Sequence, residues 1–250
     1  MIGRAANWSH RQSCGEISLG DKAVAVHLNR PAVGLGGLAP STTDRVLGIE
    51  LPDFADPIPA SLMVDGYVRQ PDLIATYERP GDDHLRVQLD WRYDQQVTQA
   101  GECAGLHVWV SLQTDRLDSR PLLNVVTELS AATLLQLTPN GDWVPPKSSP
   151  EDTAGCGSAA ATALLFRPQA AVDQSLLVLV MPHDVLRCRL TANTAQSGWR
   201  CDYTLLGEHL EKGVIRRAQL AVYPLTRQQD EVIAAELFAK FLGGPLPLTV

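Results

Sequence analysis

The 250-residue sequence predicts an all-β, mainly antiparallel fold: a large two-layer β-sandwich with one C-terminal helix. Three observations predict it. Apolar and polar residues alternate with a period of two in several segments, and most of these segments are bounded by Gly, Pro, Asn or Asp. Between them almost nothing has helical periodicity, so the crossovers that parallel strands need are missing. Apolar residues make up 45% and charged residues 20%, enough apolar surface for a sizeable core. All-β sandwiches of this length form single units, so one domain over residues 1–250 is expected.

Taken in chain order, Ala23–Leu28, Arg45–Leu51 and Ser61–Arg69 read as strands, with the Gly/Pro-rich stretch Arg30–Thr43 between the first two as a loop. Asp72–Glu78 is a strand ending at Arg79-Pro80-Gly81-Asp82-Asp83, which suits a hairpin turn into the clearest strand, Leu85–Tyr93. There every odd residue is apolar and every even one polar. Leu106–Gln113 repeats the pattern, with Leu106, Val108, Val110 and Leu112 on one face and His107, Trp109, Ser111 and Gln113 on the other. Leu122–Leu137 fits strand or helix. Thr162–Phe166, Ser175–Met181, Val185–Thr191, Trp199–Leu206 and Val214–Tyr223 complete about ten strands. The Pro/Gly/Ser-rich stretch Pro139–Gly157 could divide the sandwich into halves 1–140 and 158–250, and Tyr77-Glu78-Arg79-Pro80 is echoed by Phe166-Arg167-Pro168. Near the C-terminus, Thr226 and Gln229 resemble a capping box ahead of Val232, Ile233, Leu237, Phe238, Phe241 and Leu242, and Gly243-Gly244-Pro245 stops that helix.

Charge and motifs exclude more than they assign. A net charge of −7 repels phosphate backbones, so no nucleic-acid partner is expected. No apolar run approaches a membrane span and the start lacks a leader pattern, which predicts a cytoplasmic protein that does not enter membranes. The five cysteines, Cys14, Cys103, Cys156, Cys188 and Cys201, are too few and too scattered for a disulfide framework and read as reduced thiols. Gly34-Leu35-Gly36-Gly37 is not a dinucleotide fingerprint, and there is no phosphate loop, paired-histidine zinc motif or C-x-x-C, so no cofactor or metal is expected. Gly155-Cys156-Gly157-Ser158-Ala159 does not satisfy the nucleophile-elbow pattern.

The polar strand faces carry the candidates: Arg86, Gln88, Asp90 and Arg92 on one strand, His107, Trp109 and Gln113 on another, and Arg187 and Arg189 as a possible third row. On a curved sheet such rows could line a concave groove, with Arg and Asp bonding hydroxyls or carboxylates and the flat face of Trp109 stacking a sugar. The same rows also suit a solvated face with cross-strand ion pairs, or a Trp109 covered by a loop. Two smaller constellations, Gly207-Glu208-His209-Leu210-Glu211-Lys212-Gly213 and His183-Asp184, hold acid–base groups but read first as a charged loop and a turn.

Tyr67-Val68-Arg69-Gln70-Pro71-Asp72-Leu73-Ile74-Ala75-Thr76-Tyr77, with the strand ending Trp91-Arg92, and Glu211-Lys212-Gly213-Val214-Ile215-Arg216-Arg217-Ala218 resemble an uncharacterised family of bacterial β-rich proteins. The architecture is also similar to the large β-sandwiches of galactose-mutarotase type. That resemblance implies carbohydrate binding or processing, with a His and a carboxylate acting on a concave sheet; His107 and Asp90 are the matching residue types, without matching flanking motifs. The expectation is therefore a sugar or acidic saccharide held by Arg86, Asp90, Arg92, His107 and Trp109. The alternatives are a scaffold module docking a partner through a sheet edge or the terminal helix, and an aldose-epimerase-like enzyme.

Overall fold

A computed structural model describes residues 7–81, 84–146, 162–193 and 198–244. Cys156 and its glycine-flanked motif lie outside them, as do residues 147–157 of the expected dividing loop. The first strands are β1 (Ser9–Arg11), β2 (Cys14–Leu19), β3 (Lys22–His27), β4 (Leu35–Gly36), β5 (Arg45–Glu50), β6 (Met63–Arg69), β7 (Asp72–Arg79) and β8 (Leu85–Thr98). They are followed by β9 (Gly101–Thr114), β10 (Leu122–Leu129), β11 (Ala131–Leu137), β12 (Trp143–Val144), β13 (Ala163–Pro168), β14 (Gln174–Val180), β15 (Val185–Asn193), β16 (Gly198–Leu206) and β17 (Ile215–Thr226). The helix α1 spans Asp230–Gly243. Among the described residues no helix is long and apolar enough to cross a membrane.

The strands form three antiparallel sheets: β1-β2-β3-β4, β15-β16-β10-β5, and a nine-stranded sheet ordered β12-β11-β13-β14-β17-β9-β8-β7-β6. Among the described residues the fold is all-β with a single α-helix, toward the C-terminus. Strands from both sides of residues 147–161 pair with one another within the two larger sheets, and one core cluster joins them. In that cluster Leu19, Val24, Val46, Ile49, Leu123, Val125, Tyr203 and Leu205 of the small sheets meet Leu73, Val87, Leu89, Trp91, Val108 and Leu220 of the large one. These are the odd residues of β7 and β8 and the even residues of β9 and β17, as period-two alternation requires when one face is buried.

Several expectations are corrected. The described residues form seventeen strands rather than ten, because the short pairings β1–β2, β3–β4 and β11–β12 add local strands. The ambiguous stretch 122–137 is neither one strand nor a helix. It is two strands in different sheets, parted at Ser130, whose N–H and hydroxyl both donate to Asp44 Oδ1 at 3.0 and 2.9 Å. The echoed segments ending Arg79 and Arg167-Pro168 both close strands that lead into hairpins, β7–β8 and β13–β14.

The helix lacks the capping box. Gln229 adopts the left-handed conformation (φ 61°) and makes no side-chain cap bond. A tertiary contact takes its place: Arg167 reaches from β13 to both carboxylate oxygens of Asp230 at 3.0 and 2.8 Å, Ser175 Oγ donates to Asp230 at 2.5 Å, and Arg167 also meets Glu231 at 2.7 Å. Burial acts to raise the Asp230 carboxyl, but these donors outweigh it and hold the pKa below the ordinary value. Ile233, Ala234, Leu237, Phe238 and Phe241 then bury against Leu165, Leu177, Leu179, Ala221 and Leu225, all on the face of the large sheet that points away from the main core. Each fully buried Leu, Ile or Phe contributes about 1.5–3 kcal/mol.

Candidate functional site

The helix covers only one side of that outer face. On the other side, toward β6, the antiparallel register lays the outward side chains out in transverse rows, with neighbouring strands about 4.8 Å apart. One row runs Tyr67, Ile74, Asp90, Trp109, Gln219 across β6, β7, β8, β9 and β17. The next runs Arg69, Asp72, Arg92, His107, Ala221, and the one beyond it pairs Asp94 with Gly105. On the other flank lie Thr76, Gln88, Ser111 and Arg217. This is where the even residues of β8 and the odd residues of β9 meet.

Trp109 is 6% exposed. It is not a stacking platform, because Arg92 lies over its ring, 5.0 Å from the centroid, in a cation–π contact. Asp72, itself buried, holds that guanidinium in place through a bidentate pair at 2.5 and 2.8 Å. The exposed aromatic on this face is instead Tyr67, at 39%, at the end of the Asp90 row. Two buried polar atoms in the row have no partner: Trp109 Nε1, which can only donate, and Asp90 Oδ1, which in the ionised form can only accept. They belong to directly opposed residues. Burial, reinforced by the nearby charge of Asp72, pushes the Asp90 carboxyl up to about 6 against the opposing pull of Arg92, Arg69 and Arg217.

His107 stands in the adjacent row and is held from several sides. Its Nε2 lies 2.8 Å from the Tyr223 hydroxyl, which donates to Asp94 Oδ2 at 2.5 Å, and its Nδ1 lies 3.5 Å from Gln219 Nε2. Rings of Trp109 and Phe241 approach it at 5.6 Å each. Burial lowers its pKa below the usual imidazole value; Asp94 works against this shift and Arg92 with it. Gly105 makes the arrangement possible: a Cβ there would stand 2.3 Å from Tyr223 Cδ1, so only glycine lets the Tyr223 ring lie across β9 to reach Asp94 on β8.

Of the residues singled out from sequence, Asp90, Arg92, His107 and Trp109 share this face. Arg86 lies on it too, but four residues before Asp90 on β8, paired with Glu78 at 3.0 Å. Arg187 and Arg189 do not join them: β15 belongs to the smaller sheet, where both line a shallow surface depression with Arg200, Asp202 and Glu50. The expected third row fails because strand order, which alternation does not encode, sends β15 to the other layer. His209 pairs with Asp118 at 2.9 Å in a surface loop, while the buried Asp184 accepts the Gln219 N–H at 2.8 Å from a turn. Sequence reasoning missed Asp72, Asp94, Gln219 and Tyr223 as members of the site. Gly105, interrupting an alternating strand, was the one local signal of a close approach. Among the described residues no group of three or more His, Cys, Asp and Glu is placed to hold a metal ion. Cys188 and Cys201 are buried, with their sulfurs 3.7 Å apart in the smaller sheet, away from the face. A cleft of about 840 Å³ opens between the β2–β3 turn, the β8–β9 hairpin and the start of α1, sharing none of the candidate residues.

No family model matches the sequence, and no curated protein matches it. The structure is similar to a provisionally assigned aldose 1-epimerase from Escherichia coli K12, at 10% identity and a TM-score of 0.48 over 88% of this chain and 99% of that one. It is similar to an aldose epimerase homologue from C. elegans at 9% identity and a TM-score of 0.43, over 90% and 81% of the two chains. A galactose 1-epimerase from Lactobacillus acidophilus NCFM aligns at 13% identity and a TM-score of 0.40, over 88% and 98%. Similarities this distant transfer no residue role to this chain.

Proposed function

We propose that the uncovered part of the outer face of the nine-stranded sheet binds a saccharide. The observation that supports this reading is the facing pair of buried, unpartnered polar atoms, Asp90 Oδ1 and Trp109 Nε1. A buried polar atom without a partner costs about 1–3 kcal/mol, and adjacent sugar hydroxyls, each both donor and acceptor, recover that cost at an acceptor and a donor set side by side. Arg92, with 39% of its side chain exposed, lies over the Trp109 ring beside this pair, and Tyr67 supplies the open aromatic surface at the end of the row. Titration with a panel of neutral and acidic mono- and disaccharides, followed by calorimetry, tests the reading. The expected result is binding by at least one member, weakened about tenfold or more by Asp90→Asn. A panel without binders, or binding indifferent to Asp90→Asn, overturns it.

A second reading, proton transfer on the bound sugar by an aldose-epimerase-like enzyme, is favoured by one further observation. Asp90, with its carboxyl near 6, and His107, kept neutral by burial, stand in adjacent rows as a candidate acid–base pair. The docking-module alternative has less support from the helix, whose Ile233, Leu237, Phe238 and Phe241 are turned inward onto its own sheet, leaving Val232 and Leu242 exposed.

A further inference from the structure

We infer that Asp94 and Tyr223 are positioning residues that hold His107 in its Nε2–H tautomer and so present Nδ1, beside Gln219, as the proton-accepting atom of the site. The inference follows from counting protons. The Tyr223 hydroxyl has one proton and sits 2.5 Å from Asp94 Oδ2, an oxygen that accepts. Tyr223 is 1% exposed, and burial together with Asp94 raises its pKa far above neutrality, so the phenol keeps that proton. With it committed to Asp94, the phenolic oxygen can only accept from its other neighbour, His107 Nε2 at 2.8 Å, which must therefore carry hydrogen. A neutral imidazole has a single N–H, so the lone pair falls on Nδ1.

There the Gln219 amide N–H₂ approaches at 3.5 Å, a long contact that a ligand hydroxyl can displace. Gln219 belongs to the Asp90–Trp109 row, so the open nitrogen and the unpartnered pair lie in adjacent rows. Gly105 completes the device, because any side chain there would drive the Tyr223 ring off β9 and break the chain of bonds between Asp94 and His107. This inference deepens the proton-transfer reading of the face and rests on that reading for its use, but the lock itself is a property of the free protein.

The test is a two-bond ¹H–¹⁵N correlation spectrum of the histidine rings in the full-length protein near pH 7.5, assigned with His107→Gln. The expected result is a pure Nε2–H pattern for His107, in about tenfold or greater excess, the ratio a hydrogen bond of ordinary strength sets. In Asp94→Ala the hydroxyl loses its acceptor, turns its proton to His107 Nε2, and the pattern inverts to Nδ1–H. In Tyr223→Phe the only acceptor left near Nε2 is Asp94 Oδ2 at 3.5 Å, and the excess of the Nε2–H form shrinks. An Nδ1–H or averaged pattern in the unaltered protein overturns the inference even if both variants fail to fold, and so does an unchanged pattern in a folded Asp94→Ala. No saccharide is needed, so failure of the lock and failure of the binding reading are told apart.

Discussion

One face of the nine-stranded sheet is built in two ways. Toward β11 and β14 its outward residues are Leu135, Leu165, Leu177 and Leu179, and α1 seals them off. Toward β6 and β8 the same outward positions are Asp72, Asp90, Arg92 and Asp94, and none of them belongs to the apolar cluster under α1. The boundary falls on β17 and β9, where Ala221 and Tyr223 belong to the helix-side cluster while Gln219 and His107 serve the polar rows. The difference is instructive because the strands, the register and the opposite face are shared. The apolar part is a solved burial problem. The polar part keeps a raised carboxyl and an unpartnered indole N–H that packing alone would not retain, and a binding surface is expected to carry such a stability cost.

The largest test of the contrast is on the sealed side. Leu237→Ala should destabilise by about 2–5 kcal/mol, read as a shift of the urea midpoint with unchanged slope. A loss under about 1 kcal/mol would mean that the helix is not the cover of this sheet in solution.

Asp90→Asn should have the opposite sign on the open side. A carboxyl whose folded pKa of about 6 stands above its unfolded value binds protons more tightly when folded, so it lowers stability as pH rises from about 4 to about 6 and keeps it lowered above. The variant should therefore be about 1–2 kcal/mol more stable than the parent at pH 7.5, with the gain shrinking by pH 5. A variant less stable at pH 7.5 would show that Asp90 is paired in solution, and the contrast between the two regions would fail.

The smallest effects are expected on the other layer. Arg187→Ala and Arg189→Ala should each leave stability within about 0.5 kcal/mol and saccharide affinity unchanged. Lost affinity in either would move the binding surface to the β15–β16–β10–β5 sheet.

The strands that position the site were legible because each is half-buried. Leu85–Tyr93 and Leu106–Gln113 alternate so strictly that their outward residues could be named in advance, and the true strands extend beyond both, to Thr98 and back to Gly101. Legibility ended where a residue's role depends on a distant partner. Trp109 looked like a stacking surface, yet Arg92, held by Asp72 twenty residues earlier, occupies its face. Tyr223 looked like one more strand aromatic, yet it bonds Asp94, 129 residues away.

By itself the sequence determined the fold class, the hairpin between β7 and β8, the helix near the C-terminus and which side of each strong strand faces out. All of these are set by period and turn chemistry within a few residues of each other. Only the tertiary structure decided that β15 lies in the other layer, that α1 covers part of one sheet face and leaves the rest open, and that Asp94, Tyr223, His107 and Gln219 converge. Strand order and helix docking are set by burial summed over the whole core, and such a sum leaves no local pattern to read.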